Sequence, residues 1–230
     1  MLKEIKNNIN LLEADFSSIK RQDNEIFSLS SVVAVSKKKL YEHIKKAYEN
    51  KIKNFGENYA QELDEKNRLS TNDGLDIIWH FIGPIQSNKI RIIARSADWV
   101  HSLSRTKEAD ILNNECSSLG KVMNVLIQVN ISEEVTKSGI KKEELHSFAQ
   151  YISEKKHLSL KGIMVMPRIS RDTNEIISSM KESKKLHASL LEIYPEASSL
   201  SMGTTSDYKI AIACGSTMIR IGELIFGKRK

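Results

Sequence analysis

The strongest constraint on the fold of this chain is a regular alternation of short apolar segments with segments of helical periodicity. The first apolar segment, Ser31–Ser36, is rich in β-branched residues and too short for a helix, so it predicts a buried strand. A helical pattern follows it, with Leu40, Ile44 and Tyr48 on one face. The same alternation predicts seven further strands, at about Ile52–Phe55, Ile77–Ile82, Trp99–Leu103, Val122–Val129, Leu160–Met166, Ser198–Met202 and Met218–Ile221.

Eight strand–helix units in 230 residues leave about 29 residues for each unit, which is the length that a strand, a helix and two short loops need. No residues remain for a second domain, and no Pro/Gly/Ser-rich linker divides the chain. A doubly wound sheet also alternates strands and helices, but it often carries a glycine-rich turn after its first strand, which is missing after Val35. We therefore favour a single (β/α)8 TIM-type barrel domain over residues 1–230, with an extra amphipathic N-terminal helix.

Composition and patterning argue against a membrane protein and against a disulfide-rich one. The longest apolar runs, such as Val32–Val35 and Val125–Ile127, are far shorter than the roughly 18 residues that a membrane-spanning helix needs. The first residues have no apolar signal core and include several acids, so we expect a cytoplasmic protein. Only two cysteines occur, Cys116 and Cys214, which supports neither a disulfide framework nor a zinc site.

The net charge of +6 comes from 35 basic and 29 acidic residues that are interspersed along the chain. Only the last three residues, 228–230, form a purely basic run. A nucleic-acid-binding surface would need basic residues clustered on one face or stripe. We therefore expect a solvated surface, and keep a basic RNA-binding module built on a barrel as an alternative.

Lys37 is the first residue that could carry chemistry. Functional residues of a (β/α)8 barrel lie at the carboxyl ends of the strands and in the loops that follow, and the first predicted strand ends in three lysines, 37–39. A lysine in such a place is often only a solvated residue at a helix start. Side chains alternate along a strand, however, so a barrel-facing Val35 predicts a barrel-facing Lys37, whereas Lys38 points away. Partial desolvation makes a lysine amine a nucleophile suited to Schiff-base chemistry.

The ends of the last two predicted strands form a second candidate site. The seventh strand ends in a hydroxyl-rich turn within Leu200–Asp207, and the eighth ends in a glycine turn within Gly215–Glu223. Loops in these two positions commonly bind phosphate through backbone N–H groups, hydroxyls and a helix N-terminus. Each turn glycine alone could be only structural. Together with Lys37 and the strand-borne Arg220, the two turns suggest a phosphorylated aldehyde cofactor, pyridoxal 5′-phosphate (PLP).

Seven sequence blocks, in order along essentially the whole chain, carry a family resemblance: Val32–Lys37 (VVAVSK), Phe55–Glu62 (FGENYAQE), Trp79–Lys89 (WHFIGPIQSNK), Gln128–Ile140 (QVNISEEVTKSGI), Lys161–Pro167 (KGIMVMP), Leu200–Gly203 (LSMG) and Gly215–Gly227 (GSTMIRIGELIFG). They closely resemble the pyridoxal phosphate homeostasis proteins, the YggS/PROSC type. The resemblance implies a monomeric barrel like the N-terminal domain of alanine racemase, with PLP bound to the lysine of the first strand. In this chain that lysine is Lys37.

The resemblance also implies roles for residues of the last two turns. Ser201 and the backbone amides of Gly222 and Glu223 would hold the phosphate. Arg220 would face the pyridine nitrogen. Glu223 stands where the family commonly has Thr, and its carboxylate would repel a phosphate unless it turns to solvent and leaves only its N–H to donate.

Two further residues of the family blocks have alternative interpretations. Asn58 follows the second predicted strand, so it could reach the cofactor or could cap the next helix. His80 lies in an apolar strand between Trp79 and Phe81, which is more typical of a hydrogen-bonded core histidine than of a catalytic one. For Asn58, the cofactor-contact and the helix-cap interpretations both stay open.

The sequence favours a binding and carrier protein over an enzyme. A guanidinium opposite the ring nitrogen keeps that nitrogen unprotonated, so the ring is a poor electron sink. Racemisation also needs an acid/base group opposite the lysine, and the barrel leaves no residues to build a domain that supplies one. We therefore expect a protein without metal or catalytic residues that holds PLP as a lysine aldimine, maintains its supply and delivers it to apo-enzymes. The alternative is a weak PLP-dependent racemase or lyase.

Overall fold

Eight parallel strands close into a barrel in chain order, with the last strand paired to the first. The computed structural model describes residues 2–21, 27–134, 138–167, 170 and 172–228. Residues 135–137 of the block Gln128–Ile140 and residues 229–230 of the basic tail lie outside the described residues. The strands are β1 (Val32–Val35), β2 (Asn54–Glu57), β3 (Ile78–Phe81), β4 (Trp99–Leu103), β5 (Met123–Val129), β6 (Leu158–Val165), β7 (Ser199–Thr204) and β8 (Met218–Ile221).

A helix follows every strand, and one more precedes the first strand, which confirms the predicted (β/α)8 architecture. The helices are α1 (Leu2–Ser18), α2 (Tyr41–Tyr48), α3 (Ala60–Asn72), α4 (Ile90–Ser96), α5 (Thr106–Ser118), α6 (Leu145–Ser153), α7 (Thr173–Ile193), α8 (Tyr208–Ala213) and α9 (Glu223–Phe226). Within the described residues, no helix combines the length and the apolar character that crossing a membrane requires.

The two faces of the strands are buried in different surroundings. Phe55 and Trp79 point outward and pack under the helices, with Trp79 Nε1 donating a 3.2 Å hydrogen bond to Ser70 on α3. Their neighbours Asn54 and His80 point inward from the adjacent strands β2 and β3, and Asn54 Oδ1 lies 3.0 Å from His80 Nε2. The main apolar core therefore lies between the strands and the helices, and polar side chains occupy part of the barrel interior.

Helix α1 is an integral part of the apolar core, as its periodicity predicts. Its residues Ile5, Ile9, Leu12 and Phe16 are at most 4% exposed. The helix packs against α2 and α9, and Asn8 Nδ2 donates a 3.1 Å hydrogen bond to the carbonyl of Ile225. Burial of each large apolar side chain contributes about 1.5–3 kcal/mol. The contact with α9 ties the start of the chain to the end of the barrel.

The second strand is displaced from the sequence prediction. It spans Asn54–Glu57, two residues later than the predicted Ile52–Phe55. Ile52 is fully buried, but its N–H bonds back to the carbonyl of Ala47 and closes α2, so its apolar character belongs to a turn. The strand continues instead through Glu57, a buried carboxylate that apolar patterning gave no reason to include.

Candidate functional site

A cavity of about 360 Å³ opens at the carboxyl ends of the strands. This is the end of a (β/α)8 barrel where functional residues collect, and the volume is within the range of small-molecule sites. The cavity is lined by Val35, Lys37, Asn58, Ile82, Met166, Thr204, Thr205, Ser206, Arg220, Gly222 and Glu223. Five of the six residues that the sequence singled out, all except Ser201, are therefore in one place.

Lys37 lines the cavity two residues after the end of β1. Val35 lines it as well, whereas Lys38 is exposed and does not. The chain turns sharply at this point, because Lys38 has a φ of 60°, in the left-handed region. Strand alternation therefore gave the correct face for both lysines.

The turn that carries Lys37 is held by a buried ion cluster, which we define as Ser36, Glu57, Glu62 and Lys66. Lys66 Nζ donates to the carbonyl of Ser36 at 2.8 Å and to the carboxylates of Glu57 and Glu62, both at 2.7 Å. Glu57 also accepts from the Ser36 hydroxyl at 2.7 Å. Glu62 accepts from the backbone N–H of Lys38. Both neighbours of Lys37 are thus fixed by charged side chains from β2 and α3.

Sequence reasoning missed this cluster. Glu62 and Lys66 lie four residues apart on a helix, a spacing that predicts an ion pair. Glu57 could not be recognised while β2 was placed two residues too early. Burial is the largest influence on this carboxyl and raises its pKa to about 7, against the opposing effect of Lys66. Its Oε2 has no hydrogen-bond partner among the described residues.

The second side of the cavity is formed by the turns after β7 and β8. Gly222 precedes α9, whose closing hydrogen bonds use the N–H groups of Ile225 and Phe226 and the carbonyl of Gly222. The earlier N–H groups of a helix have no partner within it and can receive an anion. Glu223 is exposed. A carboxylate so close to a bound phosphate would have to face solvent in this way, because it would otherwise repel the phosphate.

The hydroxyl-bearing turn Thr204–Ser206 completes this side. Its conformation is fixed by Asp207, whose Oδ1 accepts from the Thr204 N–H at 2.6 Å and from the Thr204 hydroxyl at 3.0 Å. The turn starts at Gly203, which has a φ of 97° and would place a Cβ 2.5 Å from Ala211 Cβ. Only glycine fits this backbone and this contact.

Ser201, which the family resemblance assigns to the phosphate, is not among the residues that line the cavity. Ser201 is fully buried inside the barrel, where its Oγ lies 2.7 Å from Arg220 Nη1 and 3.2 Å from His101 Nδ1. It lies too deep in β7, because the chain reaches the cavity only at Thr204. The hydroxyls available at the cavity belong to the turn Thr204–Ser206.

Arg220 lies on the floor of the cavity and is only 6% exposed. Nη1 donates to the carbonyl and the hydroxyl of Ser201 at 2.9 and 2.7 Å, and Nη2 donates to the carbonyl of Val165 at 3.1 Å. Burial lowers the pKa of Arg220 to about 10, and Asp207 opposes the shift. The guanidinium is therefore protonated at neutral pH.

Asn58 and His80 have separate environments. Asn58 lines the cavity, and its Oδ1 is buried without a hydrogen-bond partner among the described residues. The capping interpretation is wrong, since Tyr59 occupies the N-cap of α3 and no side chain caps that helix. His80 is fully buried in the barrel interior and hydrogen-bonded to Asn54 and His101, as expected of a core histidine.

A second cavity of about 320 Å³ adjoins the first. The two share Asn58, Ile82 and Met166 as lining residues. Its other lining residues include Gln128 and Val129 at the end of β5, and Asn130 and Ser138 after that strand. Among the described residues, no group of His, Cys, Asp or Glu side chains is placed to hold a metal ion.

Comparison with known proteins identifies the family. A family model described as "Alanine racemase, N-terminal domain" matches residues 7–230. A pyridoxal phosphate homeostasis protein of Haemophilus influenzae is 40% identical over 227 residues, which are 98% of this chain and 96% of that protein. This chain belongs to the family of pyridoxal phosphate homeostasis proteins. The family member of Escherichia coli is 40% identical over 200 residues, 86% of each protein.

Solved structures show the same fold over the full barrel. PipY from Synechococcus elongatus, solved with PLP bound, has a TM-score of 0.84 at 27% identity and covers 97% of this chain and 100% of PipY. A protein described as unknown from Bifidobacterium adolescentis has a TM-score of 0.89 at 26% identity, covering 98% and 95%. Alanine racemase from Corynebacterium glutamicum, at 16% identity and a TM-score of 0.69, shares the fold alone, with 62% of its chain covered.

Proposed function

We propose that this chain binds PLP in the cavity at the strand ends, as a Schiff base on Lys37, and maintains the supply of the cofactor. The observation that carries the proposal is that Lys37, the buried Arg220 and the residues that begin α9, Gly222 and Glu223, all line one cavity. These groups match the aldehyde, the pyridine nitrogen and the phosphate of PLP. The PLP-bound structure of PipY and the names of the family members support the same ligand.

The phosphate fits the side of the cavity formed by the last two turns. Gly222 and Glu223, at the start of α9, would offer backbone N–H groups, and the Thr204–Ser206 turn would add hydroxyls. Amide and hydroxyl donors bind a phosphate dianion without the need for a lysine. Because Ser201 is engaged inside the barrel, we assign its predicted role to the hydroxyls of this turn instead.

Arg220 determines how PLP would behave once bound. PLP supplies an aldehyde that condenses with amines and a ring that can withdraw electrons from the product. A protonated guanidinium can only donate a hydrogen bond, so a ring nitrogen that faces Arg220 stays unprotonated. The electron-withdrawing capacity of the ring is thereby reduced. Arg220 therefore favours reversible holding of the cofactor over chemistry on an amino acid.

The other ionisable groups of the cavity favour the same role. Among the described lining residues, only Lys37, Arg220 and Glu223 have ionisable side chains. Racemisation needs two acid/base groups on opposite faces of the ring.

The rim of the cavity is open to solvent. Ser206, Met166 and Glu223 are exposed there, so an incoming amine can reach Lys37 from solvent. We propose that the protein acts as a monomeric, single-domain carrier that passes PLP to apo-enzymes.

A transfer assay tests this proposal. The PLP-loaded protein is mixed with an apo-transaminase, and recovered transaminase activity is followed beside racemisation of alanine. We expect transfer with negligible racemisation, loss of transfer in Lys37→Ala, and transfer preserved in the matched control Lys38→Ala. Racemisation at tens of turnovers per second, about the median enzyme rate, with no transfer would identify a PLP enzyme instead.

A further inference from the structure

A continuous chain of hydrogen bonds runs through the barrel interior and ends at Arg220. Asn54 Oδ1 lies 3.0 Å from His80 Nε2, and His80 Nδ1 lies 2.9 Å from His101 Nε2. His101 Nδ1 is 3.2 Å from Ser201 Oγ, which is 2.7 Å from Arg220 Nη1. We call these five side chains the histidine relay. His80, His101 and Ser201 are all fully buried.

The relay has one hydrogen-bond direction. Asn54 donates through Nδ2 to the carbonyl of Ser30 at 3.0 Å, so its Oδ1 accepts from the N–H at His80 Nε2. A neutral imidazole carries one N–H and one lone pair, so His80 Nδ1 accepts from His101 Nε2. His101 Nδ1 then accepts from the Ser201 hydroxyl. The lone pairs of the Ser201 oxygen are left for the guanidinium.

Neutral histidines are required for this arrangement. Burial lowers the pKa of His80 to about 3 and holds the pKa of His101 well below its usual range, with a further lowering by His80 and Arg220. A protonated imidazole would present an N–H to a neighbour that also donates, and the relay would break. Arg220 is therefore the single positive charge of the relay.

We propose that His101 and Ser201 are positioning residues for Arg220. The relay turns the Ser201 oxygen toward the guanidinium, and Ser201 then takes two N–H groups while the Val165 carbonyl takes a third. A guanidinium has five N–H groups, so two remain for the cavity that Arg220 lines. The inference rests on the proposed function in one respect only: the acceptor of these two remaining N–H groups is taken to be the pyridine nitrogen of PLP.

The proton arrangement can be measured without any ligand. Nitrogen-15 NMR of the imidazoles in the full-length apo-protein distinguishes the two neutral tautomers from the cation. We expect His80 and His101 both to carry the proton on Nε2 and to keep it unchanged from pH 6 to pH 8. A proton on Nδ1 of either ring, or titration of either ring near pH 6.5, would overturn the relay.

The consequence for Arg220 is tested by the absorbance of bound PLP. His101→Phe and Ser201→Ala should shift the pH midpoint of the absorbance change by about one unit, a tenfold change in the proton equilibrium, while PLP stoichiometry is retained. His101→Gln keeps one donor and one acceptor, so it should restore part of the wild-type midpoint. The matched control is His187→Gln, a buried histidine bonded to the Ala197 carbonyl outside the relay, which should cause no shift.

The tautomer measurement and the absorbance measurement together show which part of the proposal has failed if a result is negative. If the folded His101→Phe and Ser201→Ala proteins keep the wild-type midpoint, the positioning role is refuted. If these variants do not fold, the tautomers of the wild-type protein still decide whether the relay exists. If the wild-type protein binds no PLP, the proposed function fails, and the tautomer measurement alone tests the relay.

Discussion

At the scale of single residues, two properties separate the candidate PLP ligands from their neighbours. One is the face of the strand on which a side chain lies, and the other is how deep in the barrel the residue is. Val35 and Lys37 line the cavity, whereas the intervening Ser36 is fully buried in the ion cluster. Ser201 and Arg220 show the effect of depth. Both belong to the barrel interior, but only the long arginine side chain reaches the cavity floor, and Ser201 supports it from below.

Arg220→Gln should change the spectrum of bound PLP more than the amount bound. In the proposed site, the Thr204–Ser206 turn, the N–H groups of Gly222 and Glu223 and the Lys37 linkage would supply most of the binding. Glutamine cannot provide a permanent cation to the ring nitrogen. Loss of the three hydrogen bonds should also lower the free energy of unfolding by about 1–3 kcal/mol. Absorbance titration, PLP stoichiometry and denaturant unfolding check these effects. Complete loss of PLP from the folded variant would show that Arg220 anchors the cofactor.

At the scale of elements, the shape of the proposed phosphate side of the cavity depends on the backbone at the end of β7, at Gly203. Gly203→Ala should lower the free energy of unfolding by more than about 2 kcal/mol and weaken PLP binding, because a Cβ would overlap Ala211 and displace the Thr204–Ser206 turn. Gly120→Ala is the matched control. Gly120 has a φ of 63° with nothing within 4 Å of a Cβ, so only backbone strain of about 1 kcal/mol is expected. Equal effects in both variants, measured by denaturant unfolding, would contradict the steric explanation.

The ion cluster beneath Lys37 should make stability depend on pH. Burial raises the pKa of Glu57 from its usual 4.5 to about 7, so between these values the folded chain holds a proton that the unfolded chain has lost. The contribution of Glu57 to the free energy of unfolding therefore falls as pH rises from about 4.5 to 7, by at most about 1.4 kcal/mol per pH unit.

Glu57→Gln removes that titration and keeps a polar group at the same site. Unfolding of wild type and variant, measured from pH 4.5 to 7.5, should show the wild-type protein losing stability relative to Glu57→Gln as pH rises. Glu65→Gln, an exposed glutamate on the same helix as Lys66, is the control and should run parallel to wild type. Parallel curves for wild type and Glu57→Gln would mean that Glu57 has no raised pKa in the folded protein.

At the scale of the whole molecule, the fold was predictable because apolar periodicity is a property of the sequence itself. Eight β-branched or apolar runs separated by helical patterns determine the barrel, and strand alternation places Lys37 inside it. The location of the site followed from the general rule that barrels bind ligands at the carboxyl ends of their strands.

The features that escaped prediction are polar groups buried by contacts distant in sequence. Glu57 and Lys66 form an ion pair in the interior. His101 on β4 joins His80 on β3 to Ser201 on β7. Hydrophobic patterning carries no signal for such pairs, because Glu57, Lys66 or His101 alone looks like a misplaced surface group. The apolar strand around His80 predicts its burial but does not name its partners. The position of Ser201 below the cavity was missed for a related reason, since depth in a barrel depends on strand stagger.

Reductive labelling tests most directly whether Lys37 holds PLP. The PLP-loaded protein is reduced with borohydride, which fixes a Schiff base as a stable pyridoxyl-lysine, and the peptides are mapped by mass spectrometry. We expect one pyridoxyl group per chain, located on Lys37, absent from Lys37→Ala and retained in Lys38→Ala. Labelling mainly on Lys38, or full stoichiometric labelling that persists in Lys37→Ala, would contradict the assignment of the cavity lysine as the PLP-binding residue.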